Sequence, residues 1–85
     1  MKSYTKIYLD HFGYTIDEKI KCEIPNCSKI ANDIHHIINR KQNSKLLNEI
    51  TNLVALCREH HIQKGDKKQY LAEFQEIINK RHGKD

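Results

Sequence analysis

A chain of 85 residues makes one domain, 1–85, and a domain this short buries only about 60% of the surface that its unfolded form exposes. Its core is therefore marginal without extra support. Fifteen Lys and Arg against eleven Asp and Glu give a net charge of +4 and an isoelectric point near 9.0, which favours a polyanionic partner. We find no signal-peptide core and no apolar run near the roughly 20 residues of a membrane span. We therefore expect an intracellular, cytoplasmic protein without a membrane partner.

The N-terminal segment 1–15 is predicted to hold a helix that ends at Gly13. Apolar and aromatic side chains recur there at spacings of three and four residues, namely Tyr4, Ile7, Tyr8, His11 and Phe12. We expect this face to pack against the core; the alternative is that its aromatic rings stack on nucleic-acid bases. Residues 14–21 alternate weakly and are expected to form an extended connection.

Two short strands are predicted in the middle of the chain. Residues 30–38 are rich in β-branched side chains, and residues 53–57 form a short apolar run. The polar and basic segment 39–51 between them is interpreted as a loop with one helical turn. A helix over 59–64, ended by Gly65, and an amphipathic helix over 67–82 follow. The apolar stripe of the last helix comprises Tyr70, Leu71, Phe74, Ile77 and Ile78. The sequence thus predicts a small α+β domain.

Three cysteines and one histidine have the spacing of a structural zinc site. Cys22 and Cys27 enclose four residues, 29 residues lie between Cys27 and Cys57, and two residues separate Cys57 from His60. An odd number of cysteines in an intracellular chain argues against disulfides, while three thiolates and one imidazole form a closed set that structural zinc prefers. We predict that these four residues bind Zn²⁺. The alternative is three buried free thiols and a surface histidine.

The order of the motifs resembles a known family. Cys-x4-Cys is followed by Asp-Ile-His-His-Ile at 33–37 and by Asn-Leu-Val-Ala-Leu-Cys-x2-His-His at 52–61. This order and its spacings are similar to those of the HNH nucleases, the His-Me finger or ββα-metal group, over residues 22–68. The resemblance implies a ββα-metal core flanked by the helices at 1–15 and 67–82. It also implies a metal-dependent DNA endonuclease that leaves 5′-phosphate and 3′-hydroxyl ends.

By this resemblance, His36 is the general base that takes a proton from the attacking water, a task suited to neutral imidazole. His35 and His61 match the ligands of the catalytic divalent ion. Asn52 matches the asparagine whose side chain ties down the backbone and so orients His36. Two imidazoles with open water positions suit Ni²⁺ and Zn²⁺ as well as Mg²⁺ and Mn²⁺. Physiological abundance favours Mg²⁺ or Mn²⁺.

Adjacent positions for the base and the metal ligand pose a geometric question. Neighbouring side chains on a straight strand point to opposite faces. We therefore expect His36 to stand at the exit of its strand, or the phosphate to lie across the strand edge. On the following helix, His60 and His61 diverge by about 100°. His60 can then face the zinc while His61 faces the second ion.

Two basic groups are candidates for contacts with nucleic-acid phosphates: Arg40, Lys41 and Lys45 in the first, and Lys64, Lys67 and Lys68 in the second. Phosphate contacts position a substrate without reading its sequence, so we expect double-stranded DNA bound with low sequence specificity. Each lysine could instead be a solvated surface charge. A homodimer or a larger phage or bacterial assembly is compatible with this size. The alternative function is a non-catalytic zinc-containing module for DNA binding or assembly.

Overall fold

The computed structural model describes residues 3–38, 49–65 and 67–81. Helix α1 spans Ser3–Phe12, strands β1 and β2 span Asp33–His36 and Leu53–Leu56, and helices α2 and α3 span Arg58–Lys64 and Leu71–Arg81. Short 3₁₀ turns at Ile50–Asn52 and Lys68–Tyr70 lead into β2 and α3. The predicted α+β class is confirmed: within these ranges the chain forms a two-stranded antiparallel sheet and three α-helices. Among these described residues, no helix combines the length and apolar character needed to cross a membrane.

The two strands present different side chains to the two faces of the sheet. In the pairing register His35 lies opposite Val54, and His36 lies opposite Leu53. Because successive side chains alternate across a strand, the first pair points to one face and the second pair to the other. All four residues of β2 are buried. A strand covered on both faces needs no polar side, which explains the continuous apolar run from Leu53 to Leu56.

Each face of the sheet is covered by helices whose apolar spacing was visible in the sequence. Tyr8 of α1 is buried in a cluster with Leu53 and Ala55. Phe74 of α3 is buried in a second cluster, which also contains Val54 and the three cysteines. Core packing is thus confirmed for four members of the predicted face of α1, namely Tyr4, Ile7, Tyr8 and Phe12, whereas His11 is exposed. The predicted end of that helix is also confirmed, because Gly13 follows Phe12 with a φ of +75°, a left-handed conformation that glycine adopts without strain.

Strand β1 is shorter than the strand predicted over 30–38. At its start, Ile30 makes only an isolated bridge outside the ladder. At its end, the N–H of Ile38 donates to the side-chain Oδ1 of Asn52 at 2.8 Å. The amide side chain of Asn52 thus takes the place of a strand backbone, and β1 ends at His36.

The other boundaries differ from the prediction by a few residues. Strand β2 stops before Cys57 because that residue becomes the N-cap of α2, which therefore starts at Arg58. The helix predicted over 67–82 begins as a 3₁₀ turn before α3, and residue 82 lies outside the described part of the chain. Most of the predicted loop over 39–51 also lies outside it, and its end belongs to the 3₁₀ turn before β2.

Candidate functional site

The segment from Cys22 to Cys27 contains a tight turn that its sequence explains. The N–H of Cys27 donates to the carbonyl of Ile24 at 3.0 Å, with Pro25 and Asn26 in the central positions. Asn26 has a φ of +68°. Asparagine tolerates this left-handed conformation, and proline suits the position before it. The turn brings the two thiols to one side of the segment.

Three thiols and one imidazole converge beside this turn. The ligand atoms of Cys22, Cys27, Cys57 and His60 all lie within 4.8 Å of one another. The Nδ1 of His60 is 3.5 Å from the Sγ of Cys22 and 3.3 Å from that of Cys57. A tetrahedral zinc ion with ordinary bond lengths holds sulfur and nitrogen about 3.6 Å apart. The four residues could therefore hold a metal ion such as zinc, and within the described ranges they are the one group of three or more side chains placed this way.

The environment shifts the pKa values of two of these thiols in opposite directions. Burial raises the pKa of Cys22 to about 11. Burial acts on Cys57 as well, but the backbone N–H of His60 and hydrogen bonds with the other two thiols outweigh it, so the pKa of Cys57 falls below its ordinary value. Since a metal binds thiolates, loading the site releases the protons of these thiols.

The two adjacent histidines of α2 contact different side chains. His60 faces the thiols, whereas the ring of His61 lies 5.1 Å from the ring of His35, centroid to centroid. His35 is only 4% exposed and also packs against Phe74 of α3, at 5.5 Å. The structure thus brings together the two histidines predicted as ligands of a second ion. They lie on the face of the sheet covered by α2 and α3, and they offer two ligand rings rather than a closed set.

Asp33 and Gly65, neither of which was predicted to belong to this site, complete the surroundings of the pair. The Nδ1 of His61 lies 3.1 Å from the Oδ2 of Asp33, to which Arg58 also donates. At Gly65, a Cβ atom would lie 2.4 Å from the carbonyl oxygen of His61 and 2.9 Å from its Cδ2. The alternation along β1, which puts Asp33 on the face of His35, could have indicated the first residue. No sequence signal indicates the crowding at Gly65.

His36 occupies the last position of β1, as expected for a residue at the strand exit. Its ring meets the ring of Tyr4 edge-on, with 4.4 Å between centroids. This contact lies on the α1 side of β1, opposite His35. Just beyond, the buried side chain of Asn52 accepts from the N–H of Ile38 at 2.8 Å and donates to the carbonyl of Ile38 at 3.1 Å. Asn52 thereby holds the backbone two residues after His36.

The predicted phosphate-binding lysines differ in their surroundings. The Nζ of Lys64 contacts both carboxylate oxygens of Glu73, at 3.0 and 2.7 Å, so its charge is balanced within the protein. Lys67 and Lys68 are exposed. The other predicted group lies outside the described residues: Arg40, Lys41 and Lys45.

A partly buried ion pair next to the cysteines was not foreseen from the sequence. The Nη1 of Arg81 donates to both carboxylate oxygens of Glu23 at 3.1 Å and to the carbonyl of Leu53 at 2.8 Å. The same carboxylate accepts from the hydroxyl of Tyr8 and from the N–H of Ala55, each at 2.7 Å. Glu23 follows the first cysteine directly, so these bonds join α1, β2 and α3 to the metal-binding segment.

Comparisons of the chain with protein-family models, curated protein sequences and solved structures gave no match. The similarity to HNH nucleases therefore stands on the motif order alone. The fold and the cysteine cluster do not depend on that similarity, because both are observed in the structure.

Proposed function

We propose that the protein is a metal-dependent DNA endonuclease of the HNH type. The observation that supports this most is the pairing of His35 with His61 beside Asp33. A histidine whose second ring nitrogen is bonded to a carboxylate is the usual arrangement of a metal-binding imidazole in proteins. Two imidazoles beside a carboxylate also offer the ligand chemistry that a hydrolytic metal site uses.

In this proposal the cysteine cluster holds a structural Zn²⁺. Three thiolates and an imidazole fill all four tetrahedral positions and leave none for a substrate, so the ion supports the fold and does no chemistry. Structural zinc in finger peptides supplies an apparent 10–16 kcal/mol or so. That is comparable to the total stability of roughly 5–15 kcal/mol that is typical of a small domain.

His35 and His61 would bind the second divalent ion, Mg²⁺ or Mn²⁺ by abundance and Ni²⁺ or Zn²⁺ by ligand type. His35 is enclosed, whereas the side chain of His61 is 35% exposed, so the pair can be reached from solvent. Two imidazoles leave coordination positions for water and a phosphate oxygen. An ion bound there would stabilise the charge that develops on the phosphate and on the leaving 3′-oxygen.

His36 is the proposed general base. A neutral imidazole accepts the proton of the attacking water, which then forms the bond to phosphorus. Since His36 and His35 lie on opposite sides of β1, the scissile phosphate would lie across the exit of that strand, within reach of both. The contacts of Asn52 with Ile38 hold this exit in place.

The basic surface supports a nucleic-acid substrate. The net charge of +4 and the exposed Lys67 and Lys68 suit backbone phosphates of double-stranded DNA. Each neutralised phosphate adds about 0.9 to the log–log salt slope of binding to duplex DNA. We expect Lys64 to contribute less than its neighbours, because Glu73 already neutralises it.

Cleavage of supercoiled plasmid tests the proposal. Wild-type protein is incubated with Mg²⁺, Mn²⁺ or Ni²⁺ and compared with His36→Ala and with His11→Ala, which removes an exposed imidazole at the end of α1. Loss of a general base lowers the rate about 10²–10⁴-fold. We expect that loss for His36→Ala and wild-type cleavage for His11→Ala.

Two outcomes would contradict the proposal in different ways. Cleavage that persists in His36→Ala rules out the mechanism and assigns the activity to another group or to a contaminant. Absence of cleavage by the wild type with every metal, together with retained DNA binding, would instead favour the non-catalytic zinc-containing module.

A further inference from the structure

Asp33 lies beside the His35–His61 pair, and the proposed function gives it no role. Its Oδ2 is 3.1 Å from the Nδ1 of His61 and 3.1 Å from the Nε of Arg58. The carboxylate is 27% exposed and lies on the same face of β1 as His35. It therefore sits between a cation and an imidazole at the edge of the proposed metal site.

The contact with Asp33 determines which nitrogen of His61 carries the proton. An ionised carboxylate only accepts hydrogen bonds, so the Nδ1 of His61 must be the donor. In a neutral ring the Nε2 atom then has a free lone pair, which is the atom a metal ion needs. The same bond fixes the rotation of the ring beside His35.

Neighbouring contacts hold Asp33 itself in position. The side-chain oxygen of Asn32 accepts from the backbone N–H of Arg58 at 2.9 Å, which anchors the start of α2 to the start of β1. The guanidinium of Arg58 then reaches the carboxylate of Asp33. Asn32, just before β1, and Asp33, its first residue, therefore set both the position of α2 and the orientation of the His61 ring on α2.

We propose that Asp33 is a positioning residue that holds His61 with Nδ1 protonated and Nε2 free to bind the catalytic ion. Arg58 supports it by fixing the carboxylate. This inference rests on the proposed function, because it takes His61 as a metal ligand. Outer carboxylates of this kind typically contribute 10–100-fold to metal affinity or activity.

Histidine nitrogen NMR tests the inference without any cleavage reaction. Long-range ¹H–¹⁵N correlation spectra are recorded on zinc-loaded protein at pH 8, with no second metal added. We expect the wild type to show His61 protonated at Nδ1. Asp33→Ala should shift the ring toward the Nε2-protonated form, whereas Asp33→Asn, which keeps an acceptor oxygen, should preserve the wild-type form. Asp17→Ala removes an exposed carboxylate elsewhere and serves as the control.

Mn²⁺ titration of the same zinc-loaded variants gives the second readout. We expect Asp33→Ala to weaken Mn²⁺ binding about 10–100-fold, Arg58→Gln to weaken it less, and Asp17→Ala to leave it unchanged. Zinc content and circular dichroism identify any variant that has lost its fold. If Asp33→Ala has lost its fold, the Asp33→Asn variant is used instead. An Nε2-protonated His61 in that variant would overturn the inference.

The outcomes separate this inference from the nuclease proposal. An unchanged His61 tautomer in Asp33→Ala overturns the positioning role, even if plasmid cleavage is observed. Weakened Mn²⁺ binding without a change of tautomer also overturns it, because Asp33 would then be a ligand itself. If tautomer and affinity both depend on Asp33 while no metal supports cleavage, the positioning role holds and the nuclease proposal fails.

Discussion

Several single residues of this domain serve two neighbours at once. Cys57 caps α2 by accepting from the N–H of His60 and also belongs to the cysteine cluster. Asn52 bonds both the N–H and the carbonyl of Ile38. Replacing such a residue removes two interactions together, so a loss of activity has to be distinguished from a loss of fold. Matched pairs of substitutions make that distinction.

The two described glycines provide one such pair. Gly65→Ala places a methyl group against the carbonyl and ring of His61, although a φ of −63° is itself allowed for alanine. We expect displacement of the ring and a loss of plasmid cleavage on the order of 100-fold, since a shift of about 1 Å in a catalytic group can cost that much. Cleavage rates and Mn²⁺ affinity are the measurements.

Gly13→Ala is the control for Gly65→Ala. It introduces no close contact but requires alanine at a φ of +75°, which costs about 1–2 kcal/mol. We expect this variant to be less stable in urea and yet to cleave at the wild-type rate. Equal activity of the two variants would mean that the space at Gly65 does not matter for the site.

At the scale of elements, a partly buried ion pair joins the metal-binding segment to α3. Arg81 of α3 and Glu23 are 9% and 15% exposed in their side chains. Removing one partner of a buried pair typically costs about 3–5 kcal/mol, because the other charge remains uncompensated. Tyr8 of α1 donates to the same carboxylate. Both flanking helices are therefore part of the domain rather than appendages to a metal-binding core.

Tyr8 gives this contact a measurable pH dependence. Burial, and then the nearby charge of Glu23, raise the pKa of Tyr8 well above its usual range. The folded protein thus keeps a proton that the unfolded chain loses near pH 10. The stability from Tyr8 is complete below that pH and decreases as the pH rises above it. We expect the free energy of unfolding of zinc-loaded wild type to fall more steeply above pH 10 than that of Tyr8→Phe.

The difference in slope should approach about 1.4 kcal/mol per pH unit, the value for one proton. Urea unfolding of both proteins between pH 8 and 11 measures it. Lysine and cysteine titrations are common to the two proteins and cancel in the comparison. Parallel curves would show that the phenol of Tyr8 is not protected by the fold.

The elements differ in how far the sequence predicted them, and the reasons are physical. Periodic apolar side chains placed α1 and α3 to within a few residues. The end of β1 was missed because the side chain of Asn52 replaces a strand partner there, which no periodicity reveals. The cysteine cluster was predicted in full because tetrahedral zinc restricts ligand types and spacings. Asp33 and Arg81 were missed because their partners, His61 and Glu23, are distant in the chain. The crowding at Gly65 was missed because it depends on the orientation of the His61 ring, which no spacing reveals.

At the scale of the whole molecule, a two-stranded sheet lies between the two apolar clusters of the described residues. One cluster contains all three cysteines, so the proposed zinc lies in the core rather than at its margin. A domain this small has little other support. Loss of the metal should therefore affect the entire fold and not one loop.

Two ligand substitutions separate the proposed metal sites. We expect Cys57→Ala to lose zinc and cooperative unfolding, because it removes both a ligand and the N-cap of α2. His61→Ala should keep its zinc and melt close to the wild type, since the side chain is partly exposed, yet lose plasmid cleavage. Circular dichroism melts and metal analysis report on both. Equal melting points for the two variants would mean that the metal sites have been assigned wrongly.

The short helix α2 limits where the length of this chain can change. His60 and His61 face different groups because one helical step turns them by about 100°, and Gly65 must fall one turn after His61. Inserting or deleting a single residue between Cys57 and Gly65 would rotate one histidine away from its partners. Insertions and deletions should therefore be excluded from 57–65 in any functional variant, even where substitutions at the exposed positions of that helix are tolerated.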